Sequence, residues 1–72
     1  MTTYKLSQHT IQHEGELLTS YNIEFEENGI LKCIYDVSTD FEAVSEFVDR
    51  LNSGKASTIH IYDMVEDFLL SI

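Results

Sequence analysis

Leu17-Leu18-Thr19-Ser20-Tyr21-Asn22-Ile23-Glu24-Phe25-Glu26, then Asn28-Gly29, then Ile30-Leu31-Lys32-Cys33-Ile34-Tyr35-Asp36-Val37, is the stretch that decides the fold. Leu17, Thr19, Tyr21, Ile23 and Phe25 alternate with Leu18, Ser20, Asn22, Glu24 and Glu26. That period of two marks a strand with one buried face. Asn28-Gly29 is a strong hairpin signal, so Ile30 to Val37 returns as the next strand. Register follows from which residues face each other. A two-residue loop opposes Phe25 to Lys32 and Tyr21 to Asp36, mixing core with charge. A three-residue loop, Glu27-Asn28-Gly29 with Gly29 left-handed, opposes Phe25 to Leu31, Ile23 to Cys33 and Glu24 to Lys32. Because a slip of one residue turns a whole strand over, the three-residue loop is expected. Leu31, Cys33, Tyr35 and Val37 then face one way, and Ile30 and Ile34 point away from the main core.

Upstream, Tyr4 to Ile11 reads as a first strand with Tyr4 and Leu6 on one side, and Gln12-His13-Glu14-Gly15 as a turn. Downstream the period changes near Ser38. Thr39-Asp40-Phe41-Glu42 reads as a capping box, with the Thr39 hydroxyl accepting from the Glu42 amide. It opens a helix whose stripe is Phe41, Val44, Phe47, Val48 and Leu51, with Arg50 in the last turn and Gly54 as the stop. Ser57 or Thr58 is expected to cap a second helix. Its stripe is Ile61, Met64, Val65, Phe68, Leu69 and Ile72, opposite Asp63, Glu66 and Asp67. The fold class is therefore α+β: a three-stranded antiparallel β-meander followed by two α-helices packed on one sheet face. The expected core is Tyr21, Ile23, Phe25, Leu31, Cys33, Tyr35, Val44, Phe47, Val48, Leu51, Ile61, Val65, Phe68 and Leu69.

The 72 residues form one domain, 1–72, with 43% hydrophobic residues and no proline. A chain of this size buries only roughly 60% of its unfolded surface, so its core is small and its stability is a few kcal/mol. Size excludes large multi-substrate enzymes. Thirteen acids against four bases give a formal charge of −9. That argues against direct binding to nucleic-acid backbones, which needs clustered bases, and equally against docking on anionic lipid. The single Cys33 points to a reducing cytoplasm rather than a secreted, disulfide-built domain. Met1-Thr2-Thr3-Tyr4-Lys5 is not expected to open a cleavable leader, and no apolar run of about 20 residues occurs in these 72 residues.

Candidate chemistry is sparse. His60, Asp63 and Asp67 fall at i, i+3 and i+7, a spacing that offers one nitrogen and two oxygens to a metal, but no further ligands complete the set. His9 and His13 stand about 13 Å apart along a strand, too far to share an ion. Cys33 alternates with apolar residues, and burial makes a thiol inert. Glu66 and Asp67 diverge on a helix and make no acid–base couple. No phosphate loop or nucleophile elbow is present. The expectation is no catalytic residue, no cofactor and no metal.

The runs Ile34-Tyr35-Asp36-Val37-Ser38-Thr39-Asp40, Val48-Asp49-Arg50-Leu51-Asn52 and His60-Ile61-Tyr62-Asp63-Met64-Val65-Glu66-Asp67-Phe68-Leu69 carry a resemblance. Across residues 17–70 the chain resembles a family of short uncharacterised bacterial proteins classed as a domain of unknown function. The resemblance implies a bacterial cytoplasmic protein and brings with it no activity, cofactor or site.

The first functional expectation is a small acidic protein-interaction module with no chemistry of its own, binding another protein or, as a weak homodimer, itself. Its partner surface is expected at Leu18, Ile30 and Ile34 on the outer sheet face, and at Asp63, Glu66 and Asp67 on the second helix. An apolar patch left on a small protein marks such a site. The alternative is a nucleic-acid mimic, whose carboxylates occupy a basic DNA-binding protein. The third reading is a small metal-binding or enzymatic domain using His60.

Overall fold

A computed structural model describes residues 2–71. The order is β1 (Lys5–His13), β2 (Glu16–Glu27), β3 (Ile30–Ser38), α1 (Phe41–Ser53) and α2 (Ile61–Ser71). The strands form one antiparallel sheet in sequence order. Both helices share a single core cluster with Ile23 and Phe25, so they lie on the same sheet face. Ile72, placed by spacing on the second helix stripe, lies outside the described residues.

Both hairpins close with two residues. Glu14 and Gly15 have φ of 51° and 82°, and Asn28 and Gly29 have φ of 54° and 80°. Left-handed backbone at both central positions matches the twist of the flanking strands. The expected three-residue loop at Glu27-Asn28-Gly29 is thus corrected. Asn tolerates the left-handed region, so Asn28 joins Gly29 in it and Glu27 pairs with Ile30. Phe25 does face Lys32, but the lysine Nζ reaches out to Glu27 Oε1 at 2.6 Å and is not buried among apolar groups.

This register turns β3 over. Ile23 pairs with Ile34, and Ile34 packs against the core. Leu31, Cys33 and Tyr35 lie on the opposite face; Leu31 and Tyr35 are 70% and 68% exposed and Cys33 is half-buried. The strand then changes phase. Between the Ile23–Ile34 and Tyr21–Ser38 pairs, β3 advances four residues while β2 advances two. Asp36, with φ 56°, sits in this irregularity. The bulge returns Val37 to the core. Buried Asn22 holds it: its Oδ1 accepts the Asp36 N–H at 3.0 Å, and its Nδ2 donates to Ser7 Oγ at 3.2 Å.

The caps shift by one residue from expectation. Asp40, not Thr39, is the N-cap of α1, accepting the Ala43 N–H at 3.1 Å. At the other end Gly54 remains helical, and Lys55 takes the left-handed turn with φ 51°. Ala56 N–H donates to Leu51 C=O and Lys55 N–H to Asn52 C=O, a Schellman closure. Ser57 Oγ accepts the Ile59 N–H at 3.3 Å, which orders a turn, while α2 itself begins only at Ile61.

Tyr4, just ahead of β1, is absent from the expected core yet is 1% exposed. Its N–H donates to Asn52 Oδ1 and its C=O accepts from Asn52 Nδ2, both at 2.8 Å. The side-chain amide thus satisfies this backbone as a neighbouring strand would. The Tyr4 hydroxyl donates to Ala56 C=O at 2.9 Å, and its ring lies 5.6 Å from that of Phe25. Leu69, expected in the core, is exposed instead.

Candidate interaction surface

Among the described residues nine large apolar side chains are exposed, and seven of them lie on β3, on α2 or in the turn before it: Ile30, Leu31, Tyr35, Ile59, Tyr62, Leu69 and Leu70. That concentration makes one side of the molecule unlike the rest. The outward residues of α1 beyond Phe41 are Glu42, Glu46, Asp49, Arg50, Asn52 and Ser53, all exposed and polar or charged.

Helix geometry says where this side is. Ile61, Val65 and Phe68 of α2 are buried. Met64, Asp67, Phe68 and Ser71 face α1 across a groove of about 330 Å³ that Phe47, Arg50 and Leu51 also line. Phe47 and Phe68 stack there with ring centroids 4.5 Å apart. Tyr62 and Leu69 are seven residues apart, close to two full turns, so they share the flank turned away from α1. α1 packs across all three strands, whereas α2 packs on β3. The flank with Tyr62 and Leu69 therefore overlooks the side on which β3 is the sheet edge. The Tyr62 ring is 6.4 Å from Phe25, edge-on. Ile30 shares the helix-side face, being paired with Glu27, while Leu31 and Tyr35 occupy the other face. The open edge thus has exposed apolar side chains on both of its faces.

Its charge is one-sided. α2 carries Asp63, Glu66 and Asp67 and no base. β3 carries Asp36 and one base, Lys32, which is taken by Glu27. The Lys32 hydrogen bond, with the Thr58 hydroxyl adding to it, holds Glu27 below the usual carboxylate range. Glu27 in turn raises the Lys32 ammonium. The pair stays charged on both sides of neutral pH.

The sequence-predicted surface residues separate. Ile34 is corrected: the two-residue hairpin turns it inward, against the core. Ile30 is exposed, but on the helix side at the hairpin tip. Leu18 does lie on the outer face, half-buried opposite Ile11, in a part of β2 that β3 does not reach. The outer patch of Leu18, Ile30 and Ile34 therefore does not form. Asp63, Glu66 and Asp67 are exposed on α2 as expected. Leu31, Tyr35, Ile59, Tyr62, Leu69 and Leu70 were missed. One signal was available: Tyr62 and Leu70 are apolar residues off the buried stripe of α2.

The outer sheet face is polar where it meets the bulge. His9 Nε2 lies 2.9 Å from Asp36 Oδ1, and its ring meets Tyr35 edge-on at 6.0 Å. His9 Nδ1 is buried without a partner. Nearby Cys33 has its thiol pushed up by burial, with the Glu24 carboxylate adding to the shift, so little thiolate exists at neutral pH. Among the described residues no group of three or more His, Cys, Asp or Glu is placed to hold a metal. No helix among them is long and apolar enough to cross a membrane. Compared with family models, curated proteins and solved structures, the chain matches none, so surface chemistry carries the functional reading.

Proposed function

We propose that this chain is a small acidic interaction module, working in the cytoplasm, that binds a partner protein through the β3–α2 side and performs no chemistry of its own. The observation that carries this is the gathering of exposed apolar side chains on β3 and α2, beside a wholly polar outward face on α1 beyond its first residue. Exposed apolar side chains concentrated on neighbouring elements beside acidic residues are a feature of binding sites, and tyrosine is enriched among residues that dominate binding energy. The unpaired Cys33 supports the reducing compartment.

The test is capture from the source cell with tagged parent, with Tyr62→Glu combined with Leu69→Glu, and with Glu46→Lys on α1 as a control. Matched thermal melts must show that all three fold. The expected result is a stoichiometric partner retained by the parent and the α1 control and lost from the double variant. Equal retention by all three would remove the β3–α2 side from consideration.

A further inference from the structure

We infer that the occupant of this surface is an extended, basic segment of a partner protein that adds as a strand to the open edge of β3. The inference rests on the interaction-surface reading above and specifies what that surface holds. The sheet has two edges, β1 and β3. β1 bears no exposed large apolar side chain, and its charged or titratable side chains are Lys5, His9 and His13. β3 presents Ile30 on one face and Leu31 and Tyr35 on the other. Side chains of an added strand alternate between faces. One set would pass beneath Tyr62 and Leu69, and the other would lie beside Leu31 and Tyr35. A docking helix would cover only one of these faces and leave the β3 backbone groups unpaired, whereas a strand satisfies both. The left-handed Asp36 breaks the ladder, so the usable edge runs from Ile30 to about that residue.

Charge selects the occupant. A second copy of this chain would bring the acidic Asp63 and Glu66 of each α2 to one shared edge with no base beside them. The single base on these two elements, Lys32, is already engaged by Glu27. A segment rich in lysine or arginine meets the acidic rim instead, and its affinity falls as salt screens the attraction.

The experiment titrates the full chain, observed by amide NMR and hydrogen exchange, with three synthetic peptides. The first alternates lysine and valine over about seven residues, the span of Ile30 to Asp36 at about 3.4 Å per residue. The second is the same peptide N-methylated at alternate amides, which keeps its charge and side chains but blocks ladder formation. The third replaces lysine by glutamate. The expected result is protection of β3 amides between Ile30 and Ile34 by the first peptide. N-methylation should weaken binding about tenfold or more, through lost ladder hydrogen bonds, and the glutamate peptide should not bind. Strand addition is overturned by equal binding of the first two peptides, by protection appearing on β1, by no binding at the highest soluble concentration, or by self-association through β3 without peptide. If shifts still fall on β3 and α2 in those cases, the surface reading stands and only the strand is lost. If a bound peptide leaves β3 and α2 untouched, and the double variant described above still captures its partner, the surface reading fails as well.

Discussion

α1 and α2 do the same work on their inner sides and different work on their outer sides. α1 buries Val44, Phe47, Val48 and Leu51, and α2 buries Ile61, Val65 and Phe68. Each stripe recurs at helical spacing and drives its helix onto the sheet. Outside, α1 is polar and furnished for stability: Asp40 caps it, Glu42 sits in the first turn, Arg50 in the last, and a Schellman closure ends it. α2 has no base in its last turn, and it exposes Tyr62, Leu69 and Leu70. Leu70, 81% exposed, gains this fold almost nothing. In the proposed reading, residues that this fold does not use, gathered on one element, are where a partner supplies the missing contacts.

The largest expected effect tests whether the inner sides are equivalent. Phe68→Ala removes the ring stacked on Phe47 and opens a cavity, at a cost of about 3–5 kcal/mol. In a domain this small that is enough to unfold it. Phe47→Ala should cost a similar amount. A cooperative thermal melt near the parent temperature in either variant would break the equivalence.

Next comes the residue that ties the helices to the sheet. Tyr4 bonds Asn52 of α1 through its backbone and Ala56, in the connection to α2, through its hydroxyl. Tyr4→Phe leaves the Ala56 carbonyl without that donor and should cost about 1 kcal/mol. Burial, with the Glu27 charge adding, raises the Tyr4 phenol above its ordinary value of 10.0. The folded state therefore holds the proton more tightly than the unfolded chain. That contribution is present in full below the unfolded value and is lost as pH rises through the folded one. Denaturant melts from neutral to strongly alkaline pH should show a steeper loss in the parent than in Tyr4→Phe. Parallel losses would detach the alkaline transition from Tyr4.

Smaller effects lie at the ends of α1. Asp40→Ala should cost about 1 kcal/mol by removing the acceptor of the Ala43 amide, whereas Thr39→Ala should be near neutral. Lys55→Gly should stabilise by about 0.5–1 kcal/mol, since Lys55 holds a left-handed backbone that glycine adopts freely. Urea titration resolves both. A Thr39 effect equal to that of Asp40 would return the cap to the residue the sequence suggests.

Why some of this was legible in the sequence and some was not follows from the period of each signal. The order of strands and helices, and the inward stripes around Ile23, Val44 and Val65, appear directly as alternation or helical spacing. The face of β3 does not, because Ile30, Leu31, Cys33, Ile34 and Tyr35 place apolar groups on both sides, and a period of two cannot then choose between them. The choice belongs to Asn28, whose left-handed backbone shortens the turn by one residue, and to Asp36, whose left-handed backbone changes the phase before Val37. Asn28-Gly29 does signal a two-residue turn, but placing Phe25 opposite Lys32 argues against it, and nothing in the alternation of β3 marks Asp36 as left-handed. Tyr4 escaped notice because its partner, Asn52, lies 48 positions away. At the candidate surface the acids of α2 were legible as the polar side of a helix. Leu31 and Tyr35 were not, since their exposure follows from the register.

The smallest effect is the most discriminating for the comparison of helices. Leu70→Gln and Tyr62→Gln alter side chains that face solvent on α2, so each should change stability by no more than about 0.5 kcal/mol. Tyr62 touches the edge of Phe25 and should stand at the upper end of that range, with Leu70 at the lower. The same substitutions should weaken partner binding, because a desolvated aromatic or leucine side chain contributes to an interface what it cannot contribute here. Equilibrium urea titration paired with a binding isotherm separates the two quantities. If instead Leu70→Gln destabilises the isolated chain by as much as a core substitution, α2 packs on its outer side against something within this molecule, and its contrast with α1 is one of folding rather than of recognition.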